Sequence, residues 1–184
     1  MKRSIILLLT LAAVVFAFSQ VAGAATEEDR ILATVKSIRT AFVDKSFDKL
    51  AKTVNPKTGL VVYGVKIKYD DLKKGEKDTA SRKFEFTLFG EKKRADLALS
   101  QLFFGTKIKG WLYDFFVDLS VDNAIFVPGV WYVPKDSSRT NRAVVIWDGK
   151  SSTLTVIKGS YDSDHVILKK SGKSWYFSEY KTAT

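Results

Sequence analysis

The chain has 184 residues, with 30 lysines and arginines against 20 acidic residues and a formal net charge of +10. It contains no cysteine and one histidine. This composition excludes thiol catalysis, thiolate zinc sites, disulfide bonds and any metal motif that needs two histidines. We therefore predict no metal site and no cofactor.

The N-terminal residues predict a secretory signal peptide. Lys2 and Arg3 precede an apolar run over residues 5–18, and small residues end the segment at Ala24. The run is shorter than the roughly 20 residues that a membrane-spanning helix needs. We predict cleavage after Ala24 and export of residues 25–184 to the periplasm or the extracellular space, without a transmembrane segment. The alternative is an uncleaved membrane anchor.

The exported part is long enough to bury a core of its own, so we predict a single α+β domain over residues 25–184. Its basic residues are mostly scattered lysines rather than clustered arginines, which argues against binding to nucleic acid. The main interpretation is a solvated lysine surface. The alternative is weak attraction to an anionic surface of the cell envelope.

Two helices are predicted at the start of this domain. Thr26 and Asp29 form a candidate capping box for the first helix, and Ser46 is the candidate cap of the second. Asn55-Pro56 ends the second helix because proline cannot continue it. Apolar residues recur at helical spacing on one face of each helix: Ile31, Val35, Ile38 and Phe42 in the first, and Phe47, Leu50, Ala51 and Val54 in the second.

Two strands are predicted next, because apolar and polar residues alternate in two segments. The polar residues 70–81 between the two segments predict a loop or a ragged helical turn. Gly90 is expected to end the second strand. The residues expected on one side are Val61, Tyr63, Val65, Ile67 and Tyr69 in the segment 60–69, and Phe84, Phe86 and Leu88 in the segment 82–89.

Residues 94–119 predict helical structure with breaks at Gly105 and Gly110. Six aromatic residues lie between Phe103 and Phe116. Their main interpretation is core packing, and the alternative is that some of them line a ligand cavity. Residues 123–134 then predict a strand that Pro128-Gly129 interrupts, which favours an edge or bulge position, and residues 135–141 predict a polar loop.

Four strands are predicted at the C-terminus. Their short turns contain Gly149, Gly159 and Gly172, where a tight hairpin needs positive φ, so the simplest connection is an antiparallel meander. The predicted fold class is therefore α+β, with N-terminal helices packed on a curved, mainly antiparallel sheet that ends in this four-strand meander. The predicted strands cover Arg142–Asp148, Ser152–Lys158, Asp164–Lys169 and Lys173–Tyr180.

The stretch from Ser46 to Leu60, SFDKLAKTVNPKTGL, and the order of the elements resemble small exported bacterial proteins of the nuclear-transport-factor-2-like superfamily, the cystatin-like cones. The resemblance implies a cone-shaped α+β fold whose sheet wraps a helix and often leaves an apolar pocket. The superfamily includes isomerases, cyclases, hydrolases and proteins without catalysis, so the fold would not determine the function. No catalytic pattern of its enzymes can be placed on residues of this chain.

A non-catalytic binding or interaction module is the main functional hypothesis. The chain has four tryptophans and no catalytic constellation, and ligand sites are usually concave, apolar and aromatic. The partner would be a small apolar ligand in a pocket or an envelope protein on the exposed side of the sheet. The candidate pocket residues are Trp111, Trp131, Trp147, Trp175 and Tyr176.

The alternative function is a small cofactor-free isomerase or hydrolase that uses a buried carboxylate. Asp114 and Asp118 are its candidates, although the main interpretation places both on the solvated face of a helix. His165, with Asp162 and Asp164 nearby, is interpreted as a hydrogen-bonded or exposed histidine rather than as part of a weak metal cluster. The chain has no Gly-x-Ser-x-Gly motif that would indicate a serine hydrolase.

Overall fold

A computed structural model describes residues 25–105, 111–129, 141–158 and 164–182. The chain divides into two compact units, residues 1–30 and 31–184. The predicted signal peptide and its cleavage site at Ala24 lie outside the described residues. No helix in the described ranges is both long and apolar enough to cross a membrane.

The described chain contains five helices and nine strands. The helices are α1 (Glu27–Val43), α2 (Phe47–Lys52), α3 (Tyr69–Lys74), α4 (Leu99–Phe104) and α5 (Trp111–Asp118). The strands are β1 (Leu60–Val62), β2 (Val65–Ile67), β3 (Arg82–Leu88), β4 (Glu91–Leu97), β5 (Ser120–Val127), β6 (Arg142–Ile146), β7 (Thr153–Lys158), β8 (Asp164–Ser171) and β9 (Ser174–Thr182).

The capping box predicted for α1 is present in the first unit. The Thr26 backbone N–H and hydroxyl both donate to Asp29 Oδ2, at 2.9 and 2.7 Å. The Asp29 N–H donates back to Thr26 Oγ1 at 3.1 Å. These hydrogen bonds satisfy N–H groups that a helix start otherwise leaves without partners, and they lower the pKa of Asp29.

The second unit contains the core, and both predicted helix faces are confirmed in it. Every residue of the α1 stripe (Ile31, Val35, Ile38 and Phe42) has no exposed surface. In α2, Phe47, Leu50 and Ala51 are buried, and the Ser46 hydroxyl accepts a hydrogen bond from the Lys49 N–H at 3.3 Å. The cap predicted at Ser46 is therefore confirmed.

A curved sheet of seven strands in the order β2-β1-β9-β8-β7-β6-β5 forms the other side of this core. The predicted meander of β6 to β9 is antiparallel throughout, so this part of the fold is confirmed. The β1–β9 and β5–β6 pairs are parallel, which makes the sheet mixed but mainly antiparallel. The meander buries one side, at Ala143, Val145, Leu154, Val156, Val166, Leu168, Trp175 and Phe177.

A bulge in β9 places two aromatic residues on the same side of the sheet. Ile167 pairs with Glu179 and Leu168 pairs with Phe177, so the register shifts by one residue between them. Phe177 and Tyr180 are both fully buried, although Tyr180 is the third residue after Phe177. A regular strand would place them on opposite faces.

The single strand predicted over residues 60–69 is wrong. The structure has a β1–β2 hairpin whose turn residues, Tyr63 and Gly64, have φ of 53° and 81°. Leu60 and Val62 are buried while Val61 is only partly buried, so the predicted side of the strand is also wrong. The reason is the two-residue turn with positive φ at both positions. The chain reverses direction at Tyr63 and Gly64, although apolar and polar residues continue to alternate in the sequence.

The helix predicted from Arg94 is wrong over its first residues. Residues 91–97 form β4, which pairs with β3 as a separate two-stranded sheet, and helical structure begins only at Leu99. Charged residues fill both faces at the start of β4, so its alternation is not visible in the sequence. The helical break at Gly105 is confirmed, whereas Gly110 lies outside the described residues.

Three further predictions concern the segments around these elements. β3 buries Phe84, Phe86 and Leu88 as expected. The ragged helical turn predicted within residues 70–81 corresponds to α3. β5 begins earlier than predicted but is an edge strand, as Pro128-Gly129 indicates, and residues 130–140 of the predicted strand and loop lie outside the described part.

Candidate functional site

A groove of about 420 Å³ lies where α2, the end of α3 and α4 meet, and we call it the aromatic groove. Ligand pockets in proteins typically have volumes of about 300–1,000 Å³, so the groove is large enough for a small molecule. The lining residues important for its chemistry are Lys45, Phe47, Gly75, Glu76, Gln101 and Phe104.

The floor of the aromatic groove consists of two phenylalanine rings. Phe47 is 1% exposed, and its ring centroid lies 4.9 Å from that of Phe104. Phe104 remains partly exposed and also packs edge-on against Phe42, at 5.6 Å between centroids. The rings are therefore held by the core on one side while Phe104 offers an apolar surface to the groove.

Gly75 brings the end of α3 against this floor. A Cβ atom at this position would lie 2.6 Å from the Phe47 ring, which is closer than real Cβ contacts. Glycine is therefore required here by a close approach. The same contact fixes one side of the Phe47 ring.

The rim of the groove carries one basic residue, Lys45, and two acidic residues, Glu76 and Asp78. The Lys45 Nζ lies 5.0 Å from the centroid of the Tyr113 ring, a cation–π distance. Glu76 Oε1 accepts a hydrogen bond from the Ser46 hydroxyl at 3.1 Å, and Gln101 Oε1 accepts one from the Ala98 N–H at 3.0 Å. An apolar floor with a polar rim suits an amphipathic molecule.

The structure brings two of the predicted pocket residues together. The Trp147 and Trp175 rings pack edge to face, with centroids 5.8 Å apart. Trp175 is only 3% exposed, and Trp147 Nε1 donates to the Ser151 carbonyl at 2.8 Å. Tyr176 follows Trp175 in β9 and therefore points to the opposite face of the sheet.

The other two predicted pocket residues are not placed. Trp131 and the side chain of Trp111 lie outside the described part of the structure. Of the tryptophans whose side chains the structure describes, neither Trp147 nor Trp175 lines the aromatic groove. Ligand binding at Trp111, Trp131, Trp147, Trp175 and Tyr176 stays a prediction.

The sequence predicts both residues of the groove floor as core residues. Phe47 belongs to the predicted buried face of α2, and Phe104 is one of the six aromatic residues of the segment 103–116. Most of those aromatic residues with described side chains do fill the core, because Phe103, Phe115 and Phe116 are at most 3% exposed. The groove depends on the close contact between Gly75 and Phe47. The sequence shows a glycine at position 75 but does not show this contact.

A second group of polar side chains lies between the sheet and α5. The Tyr63 hydroxyl accepts a hydrogen bond from the Leu112 N–H at 3.1 Å, and its ring meets that of Tyr180 edge-on at 5.1 Å. Burial raises the pKa of both tyrosines and of the nearby Asp164. The negative charge of Asp164 and the Tyr63 hydroxyl also raise the pKa of Tyr180, and the Tyr180 hydroxyl is buried without a hydrogen-bond partner among the described residues.

The predicted catalytic carboxylates are on the surface. Asp114 is exposed, and the Asp118 side chain is 54% exposed with Lys158 Nζ at 3.3 Å from its carboxylate. Their interpretation as the solvated face of a helix is therefore confirmed. Asp164, which the sequence places beside His165 as a possible metal ligand, is a partly buried carboxylate with a raised pKa.

His165 is a partly buried residue of β8. Its pKa is lowered, first by burial and then by the positive charge of Lys181. In the residues that the structure describes, no group of three or more potential ligands could hold a metal ion. Asp162, the third member of the suggested cluster, lies outside those residues.

The opposite face of the sheet carries a small apolar cluster. Val144 and Ile157, which are paired across β6 and β7, are both buried, and Val127 and Ile146 pack against them. This cluster is separate from the main core. Because Val144 and Ile157 are buried, the cluster is not an exposed docking surface. Docking of an envelope protein on the exposed side of the sheet stays a prediction.

The fold and the groove define an α+β protein with a mixed sheet on one side of its core and short helices around an aromatic groove. Comparison with known proteins gives no match to a family model, a curated protein or a solved structure. The resemblance to the nuclear-transport-factor-2-like superfamily therefore stays a prediction.

Proposed function

We propose that the protein is an exported, non-catalytic binding module of the cell envelope that holds a small amphipathic molecule in the aromatic groove. The observation that carries this proposal is a groove of about 420 Å³ whose floor is formed by Phe47 and Phe104. Export rests on the predicted signal peptide over residues 1–24.

The contacts around the groove favour a ligand with an apolar body. Phe104 presents a partly exposed ring that is supported from behind by Phe42. Covering this ring with an apolar group removes its surface from water, which is favourable at about 25 cal/mol for each Å². A flat or branched hydrocarbon group is therefore the expected occupant of the floor.

The rim adds a requirement for a polar head. Lys45 and Glu76 are both exposed at the edge of the groove, so a charged or hydrogen-bonding group there remains in contact with water. Such a group would orient the ligand without a large desolvation cost. The floor consists of phenyl rings, and the two carboxylates of the lining already have partners, since Glu76 accepts a hydrogen bond from Ser46 and Asp78 is paired with Arg82. This arrangement favours binding over catalysis.

A fluorescence titration with anilinonaphthalene sulfonate, an amphipathic probe, tests this proposal. The unaltered chain should bind the probe, and Phe104→Ala should weaken binding about three- to tenfold through the lost ring contact. Tyr176→Ala is the matched control, because it removes an aromatic ring from the other face of the sheet. Equal affinity of the unaltered chain and Phe104→Ala would contradict the proposal, and weaker binding by Tyr176→Ala alone would place the probe on the other face of the sheet.

A second candidate function is a cofactor-free isomerase or hydrolase. The observation that favours it is Asp164, whose pKa burial raises and whose neighbours include the Tyr180 hydroxyl. A carboxyl group with a raised pKa can act as a general acid or base. Turnover of small esters or enolisable ketones that disappears in Asp164→Asn would support it, and no turnover above the buffer rate would remove it.

A further inference from the structure

A cleft of about 360 Å³ lies between α1 and the junction of α5 with β5, and we call it the charged cleft. Ligand pockets of this size are common in proteins. Its lining includes Lys36, Arg39, Asp118 and Asp122, and no described residue lines both this cleft and the aromatic groove. The charged cleft is therefore a separate candidate site, where charged side chains take the place of aromatic rings.

Both carboxylates of the charged cleft are paired with lysines. The Lys36 Nζ lies 2.9 Å from Asp122 Oδ1, and the Lys158 Nζ lies 3.3 Å from Asp118 Oδ2. The hydrogen bond from Lys36 lowers the pKa of Asp122, so this carboxylate is ionised at neutral pH. The Asp122 and Asp118 side chains are 85% and 54% exposed, so their oxygens can still accept hydrogen bonds from a ligand.

Arg39 is the cation of the cleft without a carboxylate at ion-pair distance in the described residues. Its charge contributes to the low pKa of Asp122, but less than Lys36 does. The Arg39 Nη2 donates to the Val117 carbonyl at 3.2 Å, at the end of α5, where helix carbonyls lack partners within the helix. This hydrogen bond fixes one end of the guanidinium beside the cleft.

The guanidinium of Arg39 has further donors for a ligand. It carries five N–H donors and stays charged at neutral pH. The bond to Val117 uses one of them, and the buried Nε has no hydrogen-bond partner in the part of the chain that the structure describes. Because Arg39 is partly exposed and lines the cleft, an anionic group bound there would meet this charge.

The balance of charge in the cleft favours an anion with a single charge. Three cations, including Lys158, face two carboxylates, so one positive charge remains in excess at Arg39. A phosphate monoester carries nearly two negative charges at neutral pH, and the two aspartates would repel the second charge. A carboxylate carries one charge and matches the planar guanidinium. The expected anionic group is therefore a carboxylate.

The other polar groups of the lining accept hydrogen bonds. The Thr40 hydroxyl donates its proton to the Lys36 carbonyl at 2.9 Å, so its lone pairs remain for a ligand. Asp118 and Asp122 are acceptors as well. An ammonium group could donate to them, but it would lie next to Lys36 and Lys158, which repel it. Hydroxyl groups donate without adding charge and are therefore the better match.

We propose that the charged cleft binds a sugar acid, which is a hydroxylated molecule with one carboxylate. The carboxylate pairs with Arg39, and the hydroxyl groups donate to Thr40, Asp118 and Asp122. Hydrogen bonds to charged groups are stronger than those between neutral groups, and the cleft offers them both to the carboxylate and to the hydroxyl groups of such a ligand. This inference does not depend on the aromatic groove or on its ligand.

Isothermal titration calorimetry with related sugars tests the ligand class. D-Glucuronate should bind with a Kd of about 1 mM or lower. D-Glucose lacks the carboxylate and D-glucose 6-phosphate is close to a dianion, so each should bind at least about tenfold more weakly. No binding of D-glucuronate, or equal affinities for D-glucuronate and either of the other sugars, would overturn the inference.

Substitutions in the lining test the role of Arg39 and of the opposing charges. Arg39→Gln should weaken D-glucuronate binding at least about tenfold, while Lys52→Gln, an exposed change on α2 outside the cleft, should leave it unchanged. Asp122→Asn replaces an exposed residue, so the fold should tolerate it. It removes one repelling charge and should therefore increase the affinity for D-glucose 6-phosphate about threefold or more. Unchanged D-glucuronate binding in Arg39→Gln, or unchanged binding of the phosphate sugar in Asp122→Asn, would contradict the proposed site.

Discussion

Gly75 lies against the face of Phe47 so closely that the smallest side chain would not fit between them. An added Cβ would lie 2.6 Å from one ring atom and 2.7 Å from two others. Because Phe47 is 1% exposed and packed on its other side, the ring has little room to move. The contact joins α2 to α3 and forms one wall of the aromatic groove.

Gly75→Ala should therefore destabilise the protein by about 1–3 kcal/mol, the usual cost of overpacking a core. Urea denaturation provides the measurement. Lys77→Ala, an exposed change nearby, should stay within about 0.5 kcal/mol of the original stability. Equal stabilities for the two variants would mean that the ring and α3 can separate freely.

Phe42 and Val43 offer a second test on adjacent residues. Phe42 has no exposed surface and stacks on Phe116 with ring centroids 4.6 Å apart, whereas Val43 is 44% exposed. Phe42→Ala should lower the free energy of unfolding by about 3–5 kcal/mol through lost burial and the remaining cavity. Val43→Ala should change it by less than about 0.5 kcal/mol. Similar losses for both variants would refute the burial of the α1 stripe.

Asp148 should titrate at unusually low pH. The Ser151 hydroxyl donates to one carboxylate oxygen at 2.6 Å, and the Ser151 and Lys150 N–H groups donate to the other at 2.6 and 2.8 Å. These hydrogen bonds lower the pKa of Asp148 to about 2. Because the folded pKa is below the unfolded value, the stabilisation is present at neutral pH and is lost as pH falls from about 4 towards 2.

Carbon NMR of the Asp148 carboxyl group measures this pKa directly. Ser151→Ala removes the hydroxyl donor and should raise the pKa towards its ordinary value. Ser152→Ala, a change at the next residue, is the control and should leave the titration in place. A normal pKa in the unaltered chain would show that this turn is not closed by the carboxylate.

Asp164 should change the pH dependence of stability in the direction opposite to Asp148, because its pKa is raised and not lowered. Burial raises its pKa, so the folded protein holds more protons than the unfolded chain between the two pKa values. Stability should therefore fall as pH rises through that window. Asp164→Asn should remove this part of the pH dependence in urea denaturation measured at several pH values. An unchanged profile would indicate that the carboxyl group is well solvated.

Features with a local cause could be predicted from the sequence. The spacing of Ile31, Val35 and Ile38 determines which side of α1 is buried. The polar turns at Gly149 and Gly172 separate the strands of the meander, and both glycines have positive φ. In each case a few residues that are neighbours in the sequence are enough to predict the local structure.

Features that depend on distant contacts could not be predicted. The turn at Tyr63-Gly64 looked like the middle of one strand, because the alternation of apolar residues continues through it. The start of β4 is charged on both faces and is a strand because it pairs with β3. The groove requires Phe47, Gly75 and Phe104, which are far apart in the sequence and have no shared pattern.

Native mass spectrometry of the protein purified from the envelope fraction of its own host tests whether the exported chain holds a small molecule in the aromatic groove. We predict a chain that begins after Ala24 and carries one homogeneous small-molecule adduct, and we predict that Phe104→Ala loses most of this adduct. A bare mass in repeated preparations of the unaltered protein, or an adduct that Phe104→Ala retains fully, would contradict it.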